Sequence, residues 1–512
     1  MTEKKIPPAG GNQQGGGAKL DIAGPVSARN SITDGAEKQP AHYVPGVTVR
    51  AGLVTLEETE EERQAALLAA GAHDEGNAQA THRLHGGRFA FNEALGWMHH
   101  TGTHWATDGA DQDVDRAIVD TLGERIRAAF AVDPGRYESL IKACVPNRSR
   151  VQGAKYLLGS LAVASLAGFD TDPDKLNCQN GVIDLRNGTL AKHSPTQLYT
   201  HCATVDYDPA ADRGAWVAWL KETVGDAMTD WLQMAVGYSL TGHTREEVLF
   251  YLFGPSRAGK GLFSEVLLAL LNKPLATSVN FDTFTAQRTG DSQNFDLAPL
   301  RPTRLVFASE SNAYERFNEA KVKALTGGDE VYCAFKHRQF FSYRPAFKIW
   351  LLSNQPVNAD PDDDAVWGRV RLIHFPQSHL GNEDKTLKGQ MKDPANLRGV
   401  LAWAVEGARR WYDLGAGGLP DPGASRKLLA EQRSELDNVG AWLEECAKVD
   451  ADAFCTNQEV YSSYRLWSES NGNTPKQQKG LTQALERKGY KRTLKRVKDG
   501  PQRGFLGFRL GV

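Results

Sequence analysis

No two cysteines in this 512-residue chain form a C-x-x-C pair: Cys144, Cys178, Cys202, Cys333, Cys446 and Cys455 stand far apart or singly. Dispersed thiols argue against a zinc ribbon and a disulfide scaffold, and they fit a reducing compartment. Long apolar runs are missing too. Val266–Leu271 is the longest near the middle of the chain, far short of the roughly 20 residues of a membrane span. The opening MTEKKIPPAGGNQQGGG lacks the apolar segment of a secretory signal. The expectation is a soluble cytoplasmic protein with no membrane partner. Nor does one sign of charge dominate. Sixty Lys and Arg face 62 Asp and Glu, a net −2, so any polyanionic partner must be met by local basic patches.

What is present is unevenly spread. Residues 1 to about 50 are rich in Gly, Pro, Gln and Asn with few large apolar side chains, the composition of a disordered tail. TLEETEEERQAALLAA at 55–70 reads as a short acidic helix opened by Thr55 and Glu58. The mixed region 51–200 ends in LNCQNGVIDLRNGTL, where Asn180-Gly181 and Asn187-Gly188 bracket Val182 to Leu185 like hairpin turns. Within 201–245, a helical collar, residues 213–245 place Trp216, Trp219, Leu220, Trp231 and Met234 at helical spacing, which predicts core. His82, His85, His99, His100 and His104 lack a Cys or a nearby acid to complete a metal set.

From 246 to 415 strands and helices alternate. Val248–Phe253, Arg304–Ala308, Phe347–Leu352 and Val370–Phe375 predict strands of an α/β parallel sheet, with helices at Lys260–Leu271 and Asn318–Leu325. Between the first strand and helix lies FGPSRAGKG. Gly254, Pro255, Ser256, Arg257, Ala258, Gly259, Lys260 and Gly261 fill the G-x-x-x-x-G-K frame. Such a loop turns backbone N–H groups toward phosphate at a helix N-terminus, and Lys260 adds a full charge at the β- and γ-phosphates. ATP is the expected cofactor, with Mg²⁺. Gly261 departs from the frame, since Ser or Thr there normally ligates the metal; Ser264, one turn on, is the substitute candidate.

The partners of the loop are sought at strand ends. RLVFASESN ends in Glu310, a carboxylate able to orient water and hold Mg²⁺ through solvent. Asn354 follows another strand and is suited to the γ-phosphate or attacking water, unless it only forms the turn before Gln355-Pro356. Arg369 and Arg371 are permanently charged and suited to the γ-phosphate of a neighbouring subunit, unless one pairs with Asp362–Asp364.

These motifs, with KVKALTGGDEVYCAFKHRQFFSYRPAFKIWLLSNQPV and WGRVRLIHF, resemble the phage and plasmid primase-helicase C-terminal family of superfamily 3. The resemblance runs from about 80 to 500. It implies an AAA+-like P-loop ATPase with a parallel-sheet core, a mixed α/β N-terminal domain and a winged-helix-like C-terminal region at 416–512. It further implies a hexameric ring with ATP at subunit interfaces, encoded by a phage, plasmid or other mobile element in a bacterial host. A DNA-contacting hairpin is implied at Val331–Pro345, carrying Lys336, His337, Arg338 and Arg344 beside Phe335, Phe340 and Phe341, a mixture suited to single strands.

Many relatives carry an N-terminal primase domain. Only about 80 residues precede the family-like segment here, so no primase activity is expected, and a separate primase or other replication protein is a candidate partner. Residues 476–512 are basic, and Lys491, Arg492, Lys495 and Arg496 are expected to meet phosphate backbones. The reading is an ATP-dependent ring helicase on single-stranded or forked DNA. The rival is a DNA- or origin-binding assembly factor whose nucleotide site turns over little or not at all, which Gly261 keeps in play.

Overall fold

Strands Val370–His374, Leu249–Phe253, Lys348–Ser353, Leu305–Ser309 and Ala276–Asn280 lie side by side in that order, all parallel, in a computed structural model. The described residues are 59–284, 294–309, 317–335, 340–497 and 500–511. The tail, Thr55, Glu58, Glu310, Lys336, His337 and Arg338 fall outside them. The strand that feeds the glycine loop is first of the five in sequence and second from the edge, between the fourth and the fifth. Phe253 pairs in register with both Ser353 and His374, so the loop, Asn354 and Phe375 all emerge at one end of the sheet.

The four strands read from the sequence share apolar side chains on both faces, which a parallel sheet covered by helices demands. One face buries Trp216, Trp231, Phe250, Phe263, Trp350 and Trp411; the other buries Leu249, Tyr251, Leu351 and Trp367. Phe250 and Trp350 stack at 4.1 Å across adjacent strands, and truncating such a ring typically costs about 3–5 kcal/mol. The fifth strand, ATSVN, is polar and short, and its pattern gave no signal.

The stretch 213–245 is two helices, Gly214–Val224 and Asp226–Leu240, not one. Gly225 breaks them with φ 83°, a left-handed value that glycine adopts at no steric cost. Trp216 and Trp231 are core, as their spacing predicts. A long helix absent from the sequence reading, Pro394–Asp413, packs on Asp226–Leu240. The two backbones meet at glycines: a Cβ on Gly237 would stand 2.0 Å from Ala408 N, and one on Gly407 1.8 Å from Gln233 O.

Toward the N-terminus, helix Glu60–Ala69 is opened by a Thr59–Glu62 capping box, one turn later than the Thr55–Glu58 pairing expected. Both pairs fit the same motif, and Thr55 and Glu58 lie outside the described residues. Lys175–Cys178, Gly181–Asp184 and Thr189–Ala191 form an antiparallel sheet. Its first turn is Gln179-Asn180, with Gly181 already in the strand. His99 bonds Asp113 at 2.6 Å, and among the described residues no group of three or more His, Cys, Asp or Glu could hold a metal.

This region is keyed to the base of the parallel sheet through buried charge. Asp170 is 2.9 Å from His201 and 3.4 Å from Arg301, and it accepts from the Thr200 hydroxyl at 2.6 Å. Burial alone would raise its pKa, but His201, Arg301 and Thr200 hold the carboxyl at about 2. Arg304, also buried, donates to Asp172 O at 3.1 Å just before the strand Leu305–Ser309.

After the parallel-sheet region, helices Asn438–Cys446, Asn457–Ser470 and Gln478–Arg487 pack on an antiparallel sheet of Ala447–Thr456, Gly500–Leu510 and Lys491–Val497. Trp442, Tyr464, Phe505 and Phe508 form its core. Among the described residues no helix is long and apolar enough to cross a membrane.

Candidate functional site

The loop between Phe253 and Lys260 bends where its residues permit. Gly254, Arg257 and Gly259 have φ of 152°, 62° and 96°. At Gly254 a Cβ would lie 2.0 Å from Phe375 O, so the close approach of the following strand's end requires glycine. The helix Lys260–Leu271 begins at the loop with no side chain capping its first turn. Its N-terminal N–H groups and positive dipole end therefore bear on the loop.

Lys260 is buried, and its ammonium donates to Gly254 O (2.6 Å), Pro255 O (2.8 Å) and Asn354 Oδ1 (2.8 Å). All three acceptors are neutral. Burial pushes this lysine down to about 8. Asn354 also donates from Nδ2 to Ser256 Oγ at 3.1 Å, so one amide spans the lysine and the loop. The turn role belongs to its neighbour, because Ser353 Oγ accepts from Gln355 N at 2.8 Å.

A brace on the loop was not read from the sequence. Ser378 Oγ donates to Ser256 O at 2.7 Å, His379 N donates to Arg257 O at 3.1 Å, and Arg257 faces Glu383 at 3.8 Å. PQSHL carries no periodicity to mark it.

A phosphate chain fits this cradle of backbone turn, helix N-terminus and lysine; the metal's ligand set is incomplete among the described residues. Gly261 is exposed, with nothing within 4 Å of where a Cβ would stand. Ser264 is buried and donates to Gly261 O at 2.9 Å. It borders a cavity of about 340 Å³ together with Ser278, Asn280, Asp282 and Ser309. Asp282, just after the polar strand that the pattern concealed, is the carboxylate that sequence reasoning missed. Ser309 pairs in register with Leu352, so its strand also ends beside Asn354; Glu310 itself lies outside the described residues.

Arg369 and Arg371 are not brought to this site. Arg371 is level with Phe250, and Arg369 stands one residue before the edge strand, its carbonyl accepting from Leu249 N. They therefore lie three and five residues, about 10 and about 16 Å, from the loop end at roughly 3.3 Å per residue. Arg369 pairs with Glu247 at 2.6 Å and bonds Thr326 Oγ1 at 3.1 Å. Arg371 pairs with Asp421 at 2.8 Å. Neither takes Asp362, Asp363 or Asp364, which face Lys476, Lys323 and Arg433 instead.

Val331–Ala334 and Phe340–Tyr343 pair as the hairpin expected. Tyr332 and Phe340 stack at 5.0 Å on its exposed face, while Phe335 and Phe341 pack toward the core. Arg344 is exposed beyond the second strand, and Lys336, His337 and Arg338 lie outside the described residues. Lys491, Arg492, Lys495 and Arg496 are all exposed along one edge strand.

Residues 78–225 match the family described as D5 N terminal like, and residues 252–369 match a family of unknown function, DUF5906. The second match runs from the end of the loop strand to Arg369 and so takes in the whole cradle. "Putative helicase L207/L206" of Acanthamoeba polyphaga mimivirus is 25% identical over 232 residues, 44% of this chain and 24% of that protein. "Putative helicase 022R" of Frog virus 3 (isolate Goorha) is 24% identical over 257 residues, 46% and 25%. The match thus spans about a quarter of the length of these curated relatives. Among solved structures, the NrS-1 C terminal region (305-718) aligns with TM-score 0.39 and 11% identity, over 62% of this chain and 87% of that one.

Proposed function

We propose that the chain is an ATP-driven motor that separates DNA strands during replication of a viral, phage or plasmid element. The observation that carries this reading is the contact of Lys260 with Asn354. It joins the phosphate-type loop to the end of the strand lying between the loop strand and the Ser309 strand. That sheet order is the one in which AAA+-like ATPases place a polar reporter residue between the phosphate grip and the acid. The D5-like match and the relatives' names favour the same class.

In this reading the loop and Lys260 bind the nucleotide's phosphates, Asn354 senses the γ-phosphate, and Glu310 orients water. Ser264 and Asp282, which border one cavity, and Glu310, next after Ser309 in sequence, are the side chains that would hold Mg²⁺, which would neutralise charge on the phosphates. Arg369 and Arg371, remote from their own loop, act on a neighbouring subunit's nucleotide in a hexameric ring. The hairpin Val331–Tyr343 touches the strand with Lys336, His337, Arg338 and Arg344. The C-terminal order helix, strand, helix, helix, strand, strand is that of a winged helix, whose wing presents Lys491, Arg492, Lys495 and Arg496 to phosphate backbones.

The experiment is unwinding of a forked DNA duplex by the wild-type chain and by Lys260→Ala. Unwinding that needs ATP and is lost in the variant supports the motor. Nucleotide-dependent assembly on DNA without unwinding supports the second reading, an assembly factor, which the missing hydroxyl at Gly261 favours.

A further inference from the structure

At the base of the edge strand, far from Lys260, a cavity of about 290 Å³ is lined by Arg371, Arg426, Arg433, Asp364, Asp421 and Ser425 among others. At about 30 Å³ per water, this volume admits a phosphate group with several waters. Three guanidiniums against two carboxylates leave the charged lining net positive. Arg433 is committed, pairing with Asp364 and donating to Pro361 O at 2.7 Å. Arg371 and Arg426 share one counter-ion. Asp421 stands 2.8 Å from Arg371 through Oδ1 and 3.2 Å from Arg426 through Oδ2.

Two further features point the same way. Helix Gly423–Leu436 starts here, with Pro422 at its N-cap and no side-chain cap, so its positive end contributes to the cavity. Ser425, in the first turn, is 4% exposed, and its hydroxyl has no hydrogen-bond partner among the described residues. A buried hydroxyl without a partner is costly, and here it lines a cavity whose other donors are guanidiniums.

We propose that this cavity is a second phosphate-binding site, in which Ser425, Arg426 and Arg371 take a phosphoryl group and Asp421 is the internal anion it displaces. The bridging carboxylate spans two guanidiniums as a phosphate would, and two guanidiniums with a hydroxyl match phosphate's several acceptor oxygens. The site shares no residue with the Lys260 cradle. It shares Arg371 with the motor reading, which gives that side chain to a neighbouring subunit's nucleotide, and Ser425 and Arg426, the residues tested below, are its own. The phosphate could belong to a nucleotide or to a nucleic-acid backbone, and the test separates the two.

The test is calorimetric titration of the full chain with pyrophosphate, in a Lys260→Ala background that removes the loop's contribution. Asp421→Asn should tighten binding about tenfold by removing the competing charge. Arg426→Ala, at a side chain 71% exposed and therefore safe for folding, should weaken it about tenfold, and Ser425→Ala about threefold. No binding even to Asp421→Asn would overturn the proposal, as would binding indifferent to both Arg426→Ala and Ser425→Ala while thermal midpoints are unchanged. Displacement of pyrophosphate by ATP assigns the site to a nucleotide phosphate. Displacement by a single-stranded oligonucleotide assigns it to the backbone, and displacement by neither leaves the free anion as ligand.

Discussion

Lys260 at the loop end of the parallel sheet and three arginines at its base are held in opposite ways, while Lys348, buried at the base, donates to the carbonyls of Thr241, His243 and Ala346. At the loop end the partners of Lys260 among the described residues are two carbonyls and an amide. At the base Arg369, Arg371 and Arg301 each face a carboxylate, Glu247, Asp421 and Asp170. A cation among neutral oxygens keeps its charge available to an incoming anion. A cation already paired serves the fold, or must give up its partner before it can act. The contrast suits Lys260 to binding and these three arginines to structure or conditional binding.

The largest effect expected from breaking this contrast is at Lys260. Replacing it with alanine should lower ATP turnover by about 10³-fold, the scale of losing one preorganised charge-stabilising group, as read by phosphate release. Next is Asp170→Asn, which leaves Arg301 buried without its partner and should destabilise by about 3 kcal/mol at pH 7, as measured by denaturant unfolding. The folded carboxyl sits at about 2, against a usual 3.8. Its contribution is therefore present above the unfolded value and lost as pH falls from about 4 to about 2. Wild type and variant should converge there.

A smaller effect sharpens the comparison. Because Lys260 lies at about 8 and polyphosphate favours the ammonium, nucleotide affinity should fall as pH rises through 8. The slope should reach at most about tenfold per pH unit, measured by titration with a fluorescent nucleotide. Lys260→Arg should flatten that slope, since guanidinium stays charged. Smallest is Gly261→Ser. The open space around Gly261 admits the hydroxyl, and the Mg²⁺ needed for half-maximal turnover should drop roughly threefold, under 1 kcal/mol.

The glycine loop's place in the fold was legible because its signal is local: glycines at fixed spacing, a strand before and a helix after. The strand ends carrying Ser309 and Asn354 were legible for the same reason, since a buried parallel strand is a continuous apolar run. Strand Ala276–Asn280 was hidden because its residues are polar and few, and Asp282 was hidden with it. Helix Pro394–Asp413 went unread although its apolar face is large; its place is set by glycine contacts 170 residues apart, Gly237 with Gly407, which no local window contains. The partners of Arg369 and Arg371 were likewise beyond local reading. Asp362–Asp364 are nearer in sequence, but the edge strand's neighbours in space are Glu247 and Asp421.

ATP hydrolysis with and without single-stranded DNA, for wild type and Lys260→Ala side by side, tests the central claim most directly. The account predicts turnover that single strands stimulate and that the variant loses. ATP bound by the wild type with no turnover under any DNA condition would contradict it.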